Sequence, residues 1–230
     1  MIGYVGPFTY AEIISDYTAF FLGAKSIVPE TKMYVNYTGS WYDPVKEKEK
    51  AEYLIAAGCI VIGQFSDSSA ISAACEKAGV SNVTYNSPVK DACPNTFLIS
   101  HSINWQPYFE YMIECVKNGQ DIPDDWTGDL NSGSIKLSEM GMKVAPDTAD
   151  EIAIAKEGLK NGTIHVFDTA RFTVRGEHIT SYMADVDFDY NYENETEAVV
   201  NGIFYESKYR SAPYFDIEID GIYMLDRHYG

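Results

Sequence analysis

MYVNYTGSWYDPVKEKEKAEYLIAAG, residues 33–58, contains the pattern of a strand, a polar loop and a helix in direct succession. Residues 33–37 predict the strand. Asp43 suits the cap of a helix, and Pro44 suits its first position, where the missing N–H costs nothing. Gly58 ends the helix. The buried face of the helix is predicted to consist of Ala51, Leu54 and Ile55.

The same succession recurs on both sides of this segment. Short apolar runs at 2–5, 60–63, 83–85 and 97–99 predict further strands, with helical patterns between most of them. One of these helices stops at Gly79, and another is expected from Pro107 to Gly119. We expect the second helix to turn inward an apolar face made of Tyr108, Met112, Ile113 and Val116. Strands that alternate with helices predict an α/β fold with a Rossmann-like parallel sheet.

The alternation breaks down after Gln120. Strands are expected at residues 134–137, 163–167, 172–179 and 217–225, and a helix at 147–160. The strand at 172–179 is expected to turn at Arg175 and Gly176. The order of these elements predicts a second, incomplete layer or lobe beside the parallel sheet.

Composition excludes several classes of function. The chain has 230 residues, with 17 basic against 34 acidic side chains and a formal net charge of −17, which repels nucleic acids and anionic lipid surfaces. No apolar run is long enough to span a bilayer. The first residues show neither a basic signal region nor a lipid-accepting cysteine. Four scattered cysteines, without clustered histidines, are expected to be small core residues and not zinc ligands.

The ends of the predicted strands collect the residues best suited to bind a ligand. In an open parallel sheet the loops after the strands meet at one edge, where ligands bind. Aromatic, amide and hydroxyl side chains with one carboxylate suit a neutral, flat, polar molecule. The candidate binding residues are Phe8, Ser40, Trp41, Ser66, Asp67, Asn86, Asn104 and Trp105.

Several segments resemble a known family. They are VNYTGSWYDPVKEKE (35–49), AGCIVIGQ (57–64), SDS (66–68), YN (85–86), NWQPY (104–108) and ESKYRSAPY (206–214). Together they resemble the basic membrane protein (Med) family of substrate-binding lipoproteins of ABC transporters, which capture purine nucleosides or bases. The resemblance implies a type I periplasmic-binding-protein fold, in which two lobes close over the ligand. It also implies a transport function at the cell surface or in the periplasm, with an ABC permease as partner.

The resemblance gives roles to individual residues and regions. It places Trp41 where an aromatic ring stacks on the purine, Asn86 where an aspartate often holds the ribose, and Asp67 and Trp105 at the border of the cleft. It implies a ligand-binding lobe at 1–103, a return segment to the first lobe at 104–140, and completing elements with a C-terminal hairpin region at 141–230. The first lobe and lipid anchor of the family have no counterpart here. We therefore expect weak purine binding, unless a homodimer covers the open side of the lobe.

Two alternative functions remain open, a sensor or interaction protein of the same fold and a nucleoside-processing enzyme. We predict no catalytic residue and no cofactor, because the four histidines share no spacing with a nucleophile or metal partner. An acidic run resembles a calcium loop, but Tyr190 stands where glycine is needed and Thr196 where glutamate is needed. No metal site is therefore predicted. The acidic run consists of Asp185, Asp187, Asp189, Asn191 and Glu193.

Overall fold

The computed structural model describes residues 1–86, 89–187, 189 and 191–230. Its centre is a sheet whose first five strands are parallel, which confirms the predicted α/β fold. These strands are β1 (Ile2–Gly6), β2 (Met33–Tyr37), β3 (Val61–Gln64), β4 (Ser81–Tyr85) and β5 (Phe97–Ile103). The helices are α1 (Ala11–Ile27), α2 (Pro44–Ala56), α3 (Ala70–Ala78), α4 (Gln106–Asn118) and α5 (Thr148–Asn161).

Two further strands complete the main sheet. β6 (Ile135–Leu137) runs antiparallel to β5, and β11 (Ile222–Met224) runs parallel to β2. The order across the sheet is therefore β11-β2-β1-β3-β4-β5-β6. Two short hairpins lie outside the sheet and pair β7 (Met183–Ala184) with β8 (Thr196–Glu197) and β9 (Val199–Val200) with β10 (Ile203–Phe204).

Local signals in the sequence determine where the helices begin and end. The Asp43 carboxylate accepts a hydrogen bond from the Lys46 N–H at 3.1 Å, and Pro44 opens α2 as predicted. Gly79 and Gly119 end α3 and α4 in the left-handed region, with φ of +71° and +64°. These caps fix the loops that connect the strands.

The two faces of the sheet are covered by different parts of the chain. Neighbouring residues of a strand point to opposite faces, so Tyr4 and Val5 belong to different cores. Val5 packs with residues of α2 and α3, including Leu54 and Ile71. Tyr4 packs with α1 and with the C-terminal third of the chain, where the buried residues include Phe167, Phe172, Phe204, Phe215 and Ile217.

Three predicted strands in the last third are wrong or too long. Residues 163–167 form no strand, residues 172–179 contain one bridge between Val174 and Glu177, and only Ile222–Met224 of residues 217–225 joins a sheet. Phe167, Phe172, Ile217 and Ile219 are buried, whereas Tyr223 and Leu225 are 44% and 41% exposed. The buried residues lie in irregular chain that packs across α1, because apolar alternation reports burial and does not by itself require a partner strand.

The inward face predicted for α4 is wrong for Ile113 and Val116, whereas Tyr108 and Met112 are half-buried. Ile113 and Val116 are 53% and 69% exposed, and Cys115 is the only buried residue among those described in this helix. The helix follows the last parallel strand, at the border of the main core. The four cysteines are buried and free, in agreement with the prediction. No described helix combines the length and the apolar character that crossing a membrane requires.

Candidate functional site

A row of rings lies along the carboxyl edge of the parallel strands. We call Phe8, Trp41, Phe65, Tyr85 and His101 the aromatic row. Its successive ring centroids are 5.6, 6.4, 3.7 and 5.2 Å apart, and the closest pair, Phe65 and Tyr85, is stacked. Each ring lies in a different strand or in the loop that follows it, which is why the sheet brings them together.

The loop after β2 holds Trp41 at this edge. Gly39 has φ of +68° and donates its N–H to the Pro7 carbonyl at 2.9 Å, which ties the loop to the end of β1. The Thr38 hydroxyl donates to the Ser40 carbonyl at 2.6 Å. The Trp41 carbonyl accepts the N–H of Asp67 at 3.3 Å. Trp41 nevertheless remains 39% exposed, so its ring is available to a solute.

Six of the eight candidate residues meet at this edge. Phe8 and Trp41 belong to the aromatic row itself. Ser40 lies in the loop that holds Trp41, and its hydroxyl donates to the Tyr42 carbonyl at 3.1 Å. Asp67 is exposed, and Ser66 is 5% exposed with a buried hydroxyl that has no partner among the described residues.

Asn86 completes this group of six. It has φ of +61° and donates its N–H to the carbonyl of His101 at 2.7 Å. Because its side chain is exposed and no partner for it is found among the described residues, the amide is free to bind a solute.

The other two candidates lie apart from the aromatic row. The amide of Asn104 donates to the Gly133 carbonyl at 2.9 Å, so its hydrogen-bonding capacity is partly used within the chain. Trp105 is 56% exposed and contacts the rings of Tyr108 and Phe109. Between Trp105 and the row, no ring contact is found among the described residues.

A half-buried polar network that the sequence did not suggest lies beside the row. His101 Nε2 and Asp16 Oδ1 are 2.9 Å apart, and the Tyr4 hydroxyl donates to the same carboxylate. Burial lowers the pKa of His101, but the hydrogen bond and charge of Asp16 outweigh burial and raise it above 6.5. One signal could have indicated Asp16, namely its position within the buried face of α1 between Ile13 and Phe20.

This network borders a cavity of about 220 Å³ between α1 and the sheet. The wall combines apolar groups from both sides with the Asp16 and His101 pair. The remaining lining residues are Tyr4, Ala19, Phe20, Gly63, Gln64 and Val83. The cavity can hold only a small group, because it is below the usual volume of a ligand pocket.

The edge carries more carboxylates than the one expected from the sequence. The pKa of Tyr85 is raised to about 12, first by burial and then by the charges of Glu12, Asp16 and Asp67 in that order. Burial and the charge of Asp16 also raise the pKa of Glu12. The site predicted with a single carboxylate, Asp67, is therefore strongly acidic.

Glu206 is a further carboxylate near Asp16. Burial raises its pKa, the Ser207 hydrogen bond lowers it, and the charge of Asp16 raises it. Its Oε2 is buried with no partner among the described residues. Glu206 also lines a second cavity, of about 260 Å³, formed by residues 165–167 and 203–208.

The predicted absence of a calcium loop concerns a segment that is partly described. Asp185, Asp187 and Glu195 place carboxylate oxygens within 4.8 Å of one another. Asp187 accepts the N–H of Asp189 at 2.9 Å, which is typical of an exposed turn. Tyr190, the residue that disfavours the loop, lies outside the described residues. The absence of a metal remains a prediction.

Comparisons with known proteins agree with this architecture. Residues 1–169 match the family model of ABC transporter substrate-binding proteins of the PnrA-like type. A candidate glucose-binding protein of an ABC transporter from Haloferax volcanii is 32% identical over 74% of this chain and 44% of its own length. A purine-binding protein of Brucella abortus is 29% identical over 72% of this chain and 47% of its own length. The chain thus spans about half the length of these curated relatives.

Two solved structures share the fold. A solute-binding protein of an ABC transporter system from Conexibacter woesei superimposes with a TM-score of 0.60 at 19% identity, over 71% of this chain and 56% of its own. A transcriptional activator of the comK gene from Bacillus halodurans gives a TM-score of 0.62 at 19% identity, over 71% and 57%. At this identity the two structures establish the fold alone.

Proposed function

The chain belongs to the family of PnrA-like ABC transporter substrate-binding proteins, and we propose that it binds a purine nucleoside or purine base at the aromatic row. The observation that carries the proposal is the partly exposed ring of Trp41 at the carboxyl edge, beside Phe8 and Phe65. An indole ring in this position can stack on a flat heterocycle. The purine-binding relative from Brucella abortus supports the same ligand class.

Polar groups around Trp41 would give the ligand its orientation. The Asn86 side chain is exposed at the end of β4 and can both donate and accept hydrogen bonds. The carboxylate of Asp67 accepts, which suits ribose hydroxyls or an exocyclic amino group. Stacking together with a few directional hydrogen bonds is the usual basis of specificity in such sites.

We propose binding and not catalysis as the role of this edge. A phosphorylase would need a basic pocket for phosphate, whereas Glu12, Asp16 and Asp67 surround Tyr85 with negative charge. A hydrolase would need a general base within reach of the reacting proton. The Nε2 of His101 is paired with Asp16, and among the described residues no hydroxyl or thiol nucleophile is hydrogen-bonded to its ring.

In the cell, the proposed role is solute capture outside the cytoplasm for an ABC importer, with an ABC permease as partner. The aromatic row supplies one wall of a cleft, and the opposite wall would come from another lobe or from a second copy in a homodimer. The exposed apolar residues Phe109, Ile113 and Val116 of α4 support such an association. With one wall alone, we expect dissociation constants weaker than micromolar.

Calorimetry with the 230-residue chain tests the proposed ligand. Adenosine, guanosine, adenine and glucose are titrated separately, and glucose is included because of the Haloferax volcanii relative. We expect heat from the purines and none from glucose. Binding of glucose without purine binding would overturn the proposal, and submicromolar purine binding by a monomer would overturn the requirement for a second wall. Mass spectrometry of molecules released from the denatured protein gives an independent identification.

A further inference from the structure

A short segment after β11 reaches the carboxyl edge of the sheet, where the proposed function gives it no role. We call residues 225–230 the strap. Because β11 runs parallel to β2, its carboxyl end lies at the same edge as the aromatic row. The Leu225 N–H donates to the Val35 carbonyl at 2.8 Å, which continues the pairing with β2. The strap therefore starts at the edge where the ligand is proposed to bind.

Asp226 joins the strap to β2 and to α2. Its Oδ1 accepts the N–H of Tyr37, the last residue of β2, at 2.8 Å. Its Oδ2 lies 2.5 Å from Lys50 Nζ of α2, and the same Nζ donates to Asn36 Oδ1 at 3.0 Å. The side chains of Lys50 and Asp226 are 27% and 25% exposed, so salt screens this ion pair only in part. Charge-assisted bonds of this kind are stronger than neutral ones, and they fix the strap beside the loop that carries Trp41.

His228 contacts both loops that carry the first two rings of the row. Its carbonyl accepts the Thr9 N–H at 2.7 Å, and its N–H donates to the Thr9 hydroxyl at 2.9 Å. A Cβ added at Gly39 would lie 3.0 Å from His228 Nδ1, so the imidazole lies directly against the loop after β2. Thr9 follows Phe8, and Gly39 precedes Trp41 by two positions. One residue of the strap thus joins the loop of Phe8 to the loop of Trp41.

The strap borders three rings that form one end of the ligand platform. Phe8 and Trp41 are 5.6 Å apart, and Tyr10 lies 5.0 Å from Phe8 and 6.3 Å from Trp41. A Cβ added at Gly230 would lie 2.6 Å from the Tyr10 hydroxyl, so the strap reaches this ring as well. A platform binds a flat solute best when its rings are ordered beforehand, because ordering them on binding lowers the affinity.

We propose that the strap is a positioning element of the binding site, with Asp226 as its anchor and His228 as the residue that holds the loops of Phe8 and Trp41 together. The inference rests on the proposed function, because it concerns the affinity for a solute at the aromatic row. Neither side chain needs to touch the solute. Both act through the rings, so their replacement loosens Trp41 before any ligand is added.

The mobility of the Trp41 indole tests the proposal without a ligand. Its N–H signal in a proton–nitrogen NMR spectrum is identified by its loss in Trp41→Phe, and its heteronuclear NOE reports motion between picoseconds and nanoseconds. The double variant Asp226→Ala/His228→Ala is expected to lower this NOE. Arg227→Gln is the matched control, because Arg227 belongs to the strap but pairs with Glu218, and among the described residues it forms no hydrogen bond with either loop.

Calorimetry of the 230-residue chain with adenosine, guanosine and adenine measures the consequence for binding. The double variant is expected to raise the dissociation constant by about 2- to 10-fold, the effect of ordering one large side chain on binding. Arg227→Gln should bind like the parent. Circular dichroism and urea unfolding establish that each variant is folded. Should the double variant fail to fold, His228→Ala alone gives the same comparison, because it removes a 43% exposed ring and keeps both main-chain bonds to Thr9.

The outcomes separate this inference from the proposed function. An unchanged NOE with unchanged affinity in the folded variant would overturn the positioning role and leave the purine site intact. Weaker binding with an unchanged NOE would also overturn it, because the side chains would then act on the solute directly. A lower NOE with unchanged affinity would overturn the link between ring order and binding. A parent chain that binds none of the three purines would overturn the proposed function, and the NOE alone would then decide whether the strap orders the rings.

Discussion

Replacement of Trp41 by alanine tests the aromatic row most directly. The ring is 39% exposed and keeps tilted or edge contacts with Phe8, Tyr10 and Phe65. Loss of an aromatic platform costs about 1–3 kcal/mol for each stacked base, which corresponds to a dissociation constant raised by about 5- to 150-fold. Calorimetry with adenosine, or with the nucleoside that binds most tightly, measures this change.

The same substitution should leave the fold intact. Because part of the ring faces solvent, we expect its removal to lower the free energy of unfolding by less than the ~3–5 kcal/mol of a fully buried tryptophan. Unfolding in urea, followed by circular dichroism, measures the loss. A cooperative transition with an unchanged slope would show that weaker binding comes from the site itself.

Tyr42→Ala is the matched control. Tyr42 is the next residue of the same loop and is 64% exposed, and its backbone bonds to Ser40 do not involve the ring. We expect this variant to bind like the parent chain. The reasoning is refuted if Trp41→Ala binds as tightly as the parent, or if both variants lose affinity equally.

Three further substitutions test the surroundings of the site and the packing of the sheet. Asp16→Asn should weaken the pH dependence of the free energy of unfolding. Because the pairing with Asp16 raises the pKa of His101, this pairing stabilises the protein below pH 6.5, and the stabilisation is lost as the pH rises through the pKa of the folded state. Urea titrations at a series of pH values around 6.5 will measure the change. Gly141→Ala should lower the free energy of unfolding by at least about 3 kcal/mol, because the alanine Cβ would lie 1.7 Å from the carbonyl oxygen of Phe97. A melting temperature like the parent's would contradict this prediction. The Cβ added by Gly23→Ala in α1 would have no neighbouring atom within 4 Å, so this variant should raise the free energy of unfolding by about 0.5–1 kcal/mol, measured by urea unfolding. A lower free energy of unfolding would contradict this prediction.

The first hundred residues could be predicted because their signals are local. Each parallel strand is a short apolar run, and residues such as Asp43 and Gly79 cap the helices between them. Strand ends then identify the candidate binding edge without further information. This is why Trp41 and Asn86 could be assigned to one edge from the sequence.

Long-range partners could not be predicted in the same way. Asp16 and His101 are 85 positions apart, and only the order of strands β1, β3, β4 and β5 brings the second beside the first. The strands predicted in the last third of the chain were wrong for a different reason. Buried apolar residues there, such as Phe172 and Phe215, pack without pairing in a strand ladder. The exposed face of α4 reflects its position at the border of the core, which a helical pattern does not reveal.

The place of β11 in the sheet bears on how the protein can be made. Residues 222–224 pair with 33–35, so the outer edge of β2 stays open until residues 222–224 have been synthesised. Asp226, which accepts the N–H of Tyr37 at 2.8 Å, arrives later still. An open strand edge pairs readily with other chains. A nascent chain of this protein thus exposes the edge of β2 throughout the synthesis of residues 38–221, which is the interval in which a chaperone would protect it.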